Sequence, residues 1–238
     1  MHNINSLPID PDRDRDSLLN AVSRQKVYSF LAEIFLQEPT ATRWSEQCQV
    51  LAELLKEMGE APEFGNYVPE DLPAAVEKAQ QEFYDSFFVP MSGHYVPPFE
   101  SALQNYKSGV KRPFGPLNSS EGNHVAQCYA GAGFYPWALN IFDPLREIRL
   151  SDHIGFELAF MAMLCTSEIL AWESKQTEEA LKWQQVQKGF LKEHLAQWVS
   201  QFAQAMHEIA PGYYAEAAKV TEHWVKNDSN ELSQGLIA

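Results

Sequence analysis

From Ser17 onward the apolar residues of this chain recur at spacings of three and four, and alternation with period two is hard to find anywhere. That period places the apolar side chains on one face of a helix, so the chain is constrained to bury stripes of helices against one another. The first stripe is Leu18, Leu19, Val22, Val27, Phe30, Leu31, Ile34 and Phe35, with Ser17 as the expected N-cap and Glu38-Pro39 as the stop. Thr40 is placed to cap a second helix that turns Trp44, Cys48, Leu51, Leu54, Leu55 and Met58 inward and ends at Gly59. After an expected loop from Ala61 to Pro69, Pro73 suits a helix first turn, and Val76, Ala79, Phe83, Phe87 and Phe88 carry the stripe on to Pro90.

Between Pro90 and Pro116 glycine and proline interrupt the pattern, leaving room for one short helix around Glu100 to Tyr106. Ser119 or Ser120 opens a further helix through Val125, Cys128, Tyr129 and Ala132, closed near Gly133, and Tyr135 to Leu150 reads as a second loop. The longest helices are expected from Ser151 to about Trp172, Thr177 to about Ile209 and Gly212 to about Lys226, with a frayed polar end after Asn227. The fold class is therefore all-α. A single bundle of about ten helices, residues 1–238, is expected to have an N-terminal lobe over about 17–134 and a C-terminal lobe over about 151–226, joined by the long Pro/Gly-rich loop region.

Charge narrows the partners. With 18 Lys+Arg against 32 Asp+Glu in 238 residues, the formal charge is −14. That excess works against a nucleic-acid backbone or an anionic membrane and suits a cationic ligand, although acidity also serves plain solubility. The start, with Asp10, Asp12, Asp14 and Asp16 interleaved with Arg13 and Arg15, lacks the basic and apolar regions of a signal peptide. The longest apolar run, around Leu158 to Cys165, is short of the roughly 20 residues that span a bilayer. A cytoplasmic protein without stable membrane insertion is expected. Cys48, Cys128 and Cys165 are widely spaced and read as buried thiols.

Two segments carry the chemistry. Tyr95-Val96-Pro97-Pro98-Phe99-Glu100-Ser101 is stiffened by its proline pair, so Tyr95, Phe99 and Glu100 are expected to project from a rigid loop. Ser151-Asp152-His153-Ile154-Gly155-Phe156-Glu157-Leu158 opens a long apolar helix with Asp152 and His153 in its first turn, where unpaired N–H groups favour acids. His153 and Glu157 stand at i and i+4, but no H-E-x-x-H or paired E-x-x-H completes a metal site, and Ser101 lacks a G-x-S-x-G elbow. No catalytic residue, metal ligand or cofactor is therefore assigned. Phe87 and Phe88 are core by spacing, yet they run directly into the Tyr95–Ser101 loop. If the two share a wall, the product is an aromatic groove edged by carboxylates, which suits a peptide with arginines next to an apolar stretch.

Taken together these residues resemble the TorD/DmsD-type chaperones that mature molybdenum-containing oxidoreductases, related to the NarJ group. The resemblance runs through Tyr28 to Leu36, Phe83-Tyr84-Asp85-Ser86-Phe87-Phe88-Val89-Pro90, the Pro-Pro-Phe-Glu-Ser and Asp-His segments, Phe190-x-x-x-His194-Leu195-x-x-Trp198-x-x-x-Phe202, and Tyr213-Tyr214. It implies an all-helical, non-catalytic protein that binds the twin-arginine signal peptide of a partner redox enzyme, and the mature part of its catalytic subunit as a further partner. By position, the implied peptide-binding residues are Pro97, Pro98, Phe99, Glu100 and Ser101 with Asp152 and His153 opposite and Phe87 and Phe88 as floor; Tyr95 and Glu157 join them from the residue reading. A monomer or dimer is compatible with the resemblance. Two readings from other classes stand beside it: a helical metalloenzyme or hydrolase using His153, Glu157 and Glu100, and a structural subunit of a redox complex.

Overall fold

A computed structural model describes residues 11–62, 71–117 and 120–235. Most of the loop expected from Ala61 to Pro69, the capping role of Ser119 and the position of Asp10 lie outside the described residues. The first helix, α1 (Pro11–Leu36), begins six residues before the expected cap. Pro11 suits the first turn, the charged run that follows is compatible with helix, and Ser17 lies buried inside the helix instead of capping it. Its end before Glu38-Pro39 follows the expectation. α2 (Ala41–Glu57) starts after Thr40 and buries Trp44, Cys48, Leu51 and Leu55; the Thr40 hydroxyl meets that of Thr42 at 3.1 Å and caps no N–H. α3 (Leu72–Phe87) is capped by Asp71, whose carboxylate accepts from the Ala74 N–H at 3.1 Å, and it buries Val76, Ala79, Phe83 and Phe87.

α4 (Glu100–Leu103) is a single turn, and α5 (Ser120–Gly131) buries Val125 and Tyr129. The expected loop from Tyr135 to Leu150 is instead partly helical, with a 3-10 turn at Pro136–Ala138 and α6 (Asp143–Ile148). Arg146 holds the two together by donating to the carbonyls of Trp137 at 2.6 Å and Leu139 at 2.9 Å, a local clamp that hydrophobic periodicity does not reveal.

α7 (Ile154–Glu173) starts three residues later than expected. Its 20 residues, with a window of mean hydropathy 1.6, are long and apolar enough to cross a membrane, which corrects the expectation that no segment is. It is nevertheless a core helix of the bundle: 67% of that window is buried, and both α1 and α8 (Thr177–Phe190) pack against it. α8 passes through a π turn at Leu191–Leu195 into α9 (Ala196–Ile209), which pairs with α10 (Tyr213–Gln234). One buried apolar cluster runs from Tyr28 to Leu232, and a smaller one gathers Ala21, Ala171, Trp172 and Ala180. Among the described residues there is no strand, only one antiparallel bridge.

The expected fraying after Asn227 is also corrected: α10 stays helical to Gln234, with Asp228 and Leu232 buried. Asp228 takes Arg24 Nε at 2.6 Å and Nη2 at 3.0 Å, and the Tyr28 hydroxyl at 2.6 Å. The same guanidinium reaches Glu168 at 3.2 Å, whose oxygens also accept from Trp172, Gln184 and Gln187. A buried guanidinium needs such compensation, and Asp228 supplies its bidentate half. Of the cysteines, Cys48 and Cys165 are buried, with thiol pKa values pushed up to about 12 by that burial, whereas Cys128 is part-exposed.

Candidate functional site

The two segments singled out from the sequence meet edge to edge. Pro97-Pro98 keeps its backbone extended, and Phe99 and His153 form the antiparallel bridge. The Ile154 N–H donates to the Pro98 carbonyl and the Glu100 N–H to the Asp152 carbonyl, each at 2.9 Å. Side chains extend the stitch. Asp152 Oδ2 accepts from the Ser101 N–H at 2.9 Å, at the start of α4. His153 is the N-cap of α7, with Nδ1 accepting from the Gly155 N–H at 3.1 Å, so Asp152 precedes the helix and does not lie in its first turn. The Val96 N–H ties the loop back to the end of α3 through the Ser86 carbonyl at 2.8 Å.

Burial is where this arrangement departs from the sequence reading. Phe99 and Glu100 do not project: they are buried, as are Phe87, Pro97, Pro98, Ser101, Asp152, His153 and Glu157, while Tyr95 and Phe88 remain part-exposed. Phe87 meets Phe35, Phe83 and Tyr214, and Phe88 meets Phe83 and Phe142, so the aromatic stripe packs into the core. Tyr84 is tied to Glu38 through its hydroxyl.

Around the bridge, Glu100, Asp152 and Glu157 form a buried acidic cluster. Glu157 Oε2 accepts from Trp198 Nε1 at 3.1 Å, and Glu100 accepts from Gln104 at 2.8 Å and from His194 Nδ1 at 2.9 Å. Burial holds the Glu157 carboxyl well above the usual carboxylate range, and the charges of Glu100 and Asp152 push in the same direction. The Tyr129 phenol is likewise pushed up, by burial first and then by the charges of Glu157, Asp152 and Glu100. His153 moves the other way, its pKa lowered to about 3 by burial. Among the described residues Asp152 Oδ1, Glu157 Oε1 and Ser101 Oγ have no hydrogen-bond partner. Buried polar atoms in native proteins are nearly always satisfied, which makes these three the atoms of the cluster still open to a partner; Asp152 Oδ1 accepts only, while the Ser101 hydroxyl and a protonated Glu157 can also donate. The first turn of α5 closes over them: a Cβ added at Gly122 would lie 3.1 Å from Asp152 Oδ1.

This geometry joins the segments on which the family resemblance rests, and comparison with known proteins decides the family. The sequence model described as nitrate reductase delta subunit matches residues 37–204, more than half of the chain. The chain belongs to that family. The matched region of this delta-subunit relative contains both stitched segments, α5 and the π turn. A curated protein named chaperone protein TorD, from Shewanella pealeana (strain ATCC 700345 / ANG-SQ1), is 32% identical over 87 residues. That alignment covers 36% of this chain and about a third, 33%, of the relative. The family is the TorD/NarJ-type chaperone group to which the sequence pointed.

The cluster has members that the sequence reading did not assign. His124 Nδ1 lies 2.7 Å from His194 Nε2, with the rings 4.8 Å apart at 34°, and Cys128 stands one turn along α5 from His124. The i, i+4 spacing of His124 and Cys128 was visible in the sequence; the approach of His194, 70 positions downstream, was not.

Proposed function

We propose that this protein is a cytoplasmic maturation chaperone that binds the twin-arginine signal peptide of a molybdopterin-containing oxidoreductase and retains the precursor until its cofactor is inserted. Family membership supports the chaperone class, whose members are not enzymes. The observation that carries the peptide reading is the buried cluster of Glu100, Asp152 and Glu157, in which two carboxylate oxygens have no hydrogen-bond partner among the described residues. A guanidinium supplies several N–H donors in a fixed fork and a compensating charge, and the formal charge of −14 attracts a basic leader.

In this reading the leader reaches the cluster as the first turn of α5, seated on Asp152 through Gly122, lifts away. Its arginines pair with the carboxylates of Asp152 and Glu157, and its apolar stretch lies along Tyr95, Phe88 and the exposed Val89 and Met91. Phe87, Pro97, Pro98, Phe99, Ser101 and His153 hold the wall in place, and Glu100 adds negative charge behind it. The hydrolase alternative has less support, because His153 Nδ1 is engaged by the Gly155 N–H and Glu157 by Trp198.

Glu157→Gln tests the assignment. The raised pKa of Glu157 means that a neutral side chain suits the closed protein, so the variant keeps its fold. Its affinity for a twin-arginine leader, measured by calorimetric titration, is expected to fall at least tenfold, about 1.4 kcal/mol. Unchanged affinity would remove Glu157 from the peptide site.

A further inference from the structure

Beyond the acidic cluster, α5 and the π turn bring together three side chains of a different chemistry. His124 Nδ1, Cys128 Sγ and His194 Nε2 all lie within 4.8 Å of one another. We propose that these three atoms form a binding site for a thiophilic divalent cation, with zinc as the fitting ion.

The ligand set is the first reason. Two imidazole nitrogens and one sulfur are donors that zinc takes readily, and three protein ligands leave a fourth tetrahedral position open. With Zn–N of about 2.0–2.1 Å and tetrahedral angles, two ligating nitrogens stand roughly 3.3 Å apart. The His124–His194 pair, at 2.7 Å, needs to open by about 0.6 Å, and the sulfur, within 4.8 Å of the nitrogens, needs to settle at roughly 3.6 Å from each. His124 is on the exposed face of α5 and can turn about χ1 to do so.

The second reason is the support behind His194. Its Nδ1 meets Glu100 Oε2 at 2.9 Å, both side chains being buried. A carboxylate on Nδ1 keeps the proton there and leaves the Nε2 lone pair facing His124 and Cys128, the carboxylate–histidine arrangement that orients metal-ligating imidazoles. Glu100 in turn is fixed at the start of α4 by the stitched backbone.

The third is position. His194 lies in the π turn Leu191–Leu195, a rare geometry that re-aims side chains and concentrates at functional sites. The cluster grades from buried His194 through part-exposed Cys128 to exposed His124, so an ion has a path in from solvent. A plain histidine–histidine hydrogen bond would explain the 2.7 Å contact but gives no role to the sulfur beside it.

Binding displaces the Cys128 thiol proton to solvent and leaves the metal oxidation state unchanged. The test uses the full-length protein with zinc, and with cobalt(II) as a spectroscopic substitute. One equivalent of zinc is expected to remain after dialysis against micromolar zinc, with affinity falling at least 100-fold in His124→Ala and in Cys128→Ser. Both sites have solvent exposure, and circular dichroism is used to check that the variants are folded. The cobalt form is expected to show a thiolate-to-metal charge-transfer band that Cys128→Ser abolishes. Less than about one tenth of an equivalent bound, or equal binding by both variants, would overturn the proposal. No leader peptide enters this experiment, so its result is independent of the peptide reading.

Discussion

His153 caps α7 with a ring nitrogen and sits in complete burial, and the two facts give it a pH signature. Its pKa is about 3 in the folded protein against an ordinary 6.5, so between those values the unfolded chain binds a proton that the folded chain refuses. Stability from this residue is therefore lost as pH falls from about 6.5 toward 3. Glu157 has the opposite sign: its raised pKa means that folding releases no stability from its charge, and its burden lightens as pH falls toward 4.5. His153→Asn keeps a side-chain acceptor for the Gly155 N–H and removes the first effect. The stability of the variant relative to the natural protein is expected to rise by about 2 kcal/mol between pH 6.5 and 4.5 in urea unfolding. A constant difference across that range would contradict this account. That Glu100, Asp152 and His153 stand in two segments of unusual composition was legible in the sequence; that the segments meet and bury all three was not. Acids beside a proline pair read as exposed by default, and what buries Glu100 here is a set of partners as far as 94 positions away, at His194.

Among the elements, α7 shows how a helix start is set by packing. Gly155, in its first turn, lies against Leu36 at the end of α1: a Cβ there would come 2.5 Å from Leu36 Cγ and 2.7 Å from Cδ2. Glycine is what allows the start of α7 to lie so close to the end of α1. Gly155→Ala is expected to destabilise the protein by about 1–3 kcal/mol, as overpacking does, while raising the intrinsic helix propensity of the segment. Equal or higher stability in thermal unfolding would show that α1 and α7 have slack at this crossing. Periodicity and proline placed α2 and α3 closely, because Pro73 and the Pro39 stop act locally, whereas Thr40 makes no cap and the Asp71 cap was not expected. The late end of α10 goes instead with a distant partner, Arg24 for Asp228, and α6 with the Arg146 clamp, neither of which apolar periodicity encodes.

For the molecule as a whole, an all-helical bundle closes a main core from Tyr28 to Leu232 beside a smaller one and places a stitched, acidic knot under α5. The fold class was readable because helical periodicity extends nearly end to end, and the family because its two motifs are specific in combination. The groove imagined between them was a surface property, and surface cannot be read from identity and spacing alone. The central claim is that this knot, when exposed, recognises guanidinium forks in a leader peptide. Calorimetric titration with a twin-arginine leader and its Lys-Lys counterpart, at low and at physiological salt, tests it most directly. Saturable binding with one leader per chain is predicted, at least tenfold weaker for Lys-Lys at both salt concentrations, because lysine offers a point charge where arginine offers a planar fork. Equal affinity for the two peptides, or no binding to leaders of several molybdenum oxidoreductases, would contradict it.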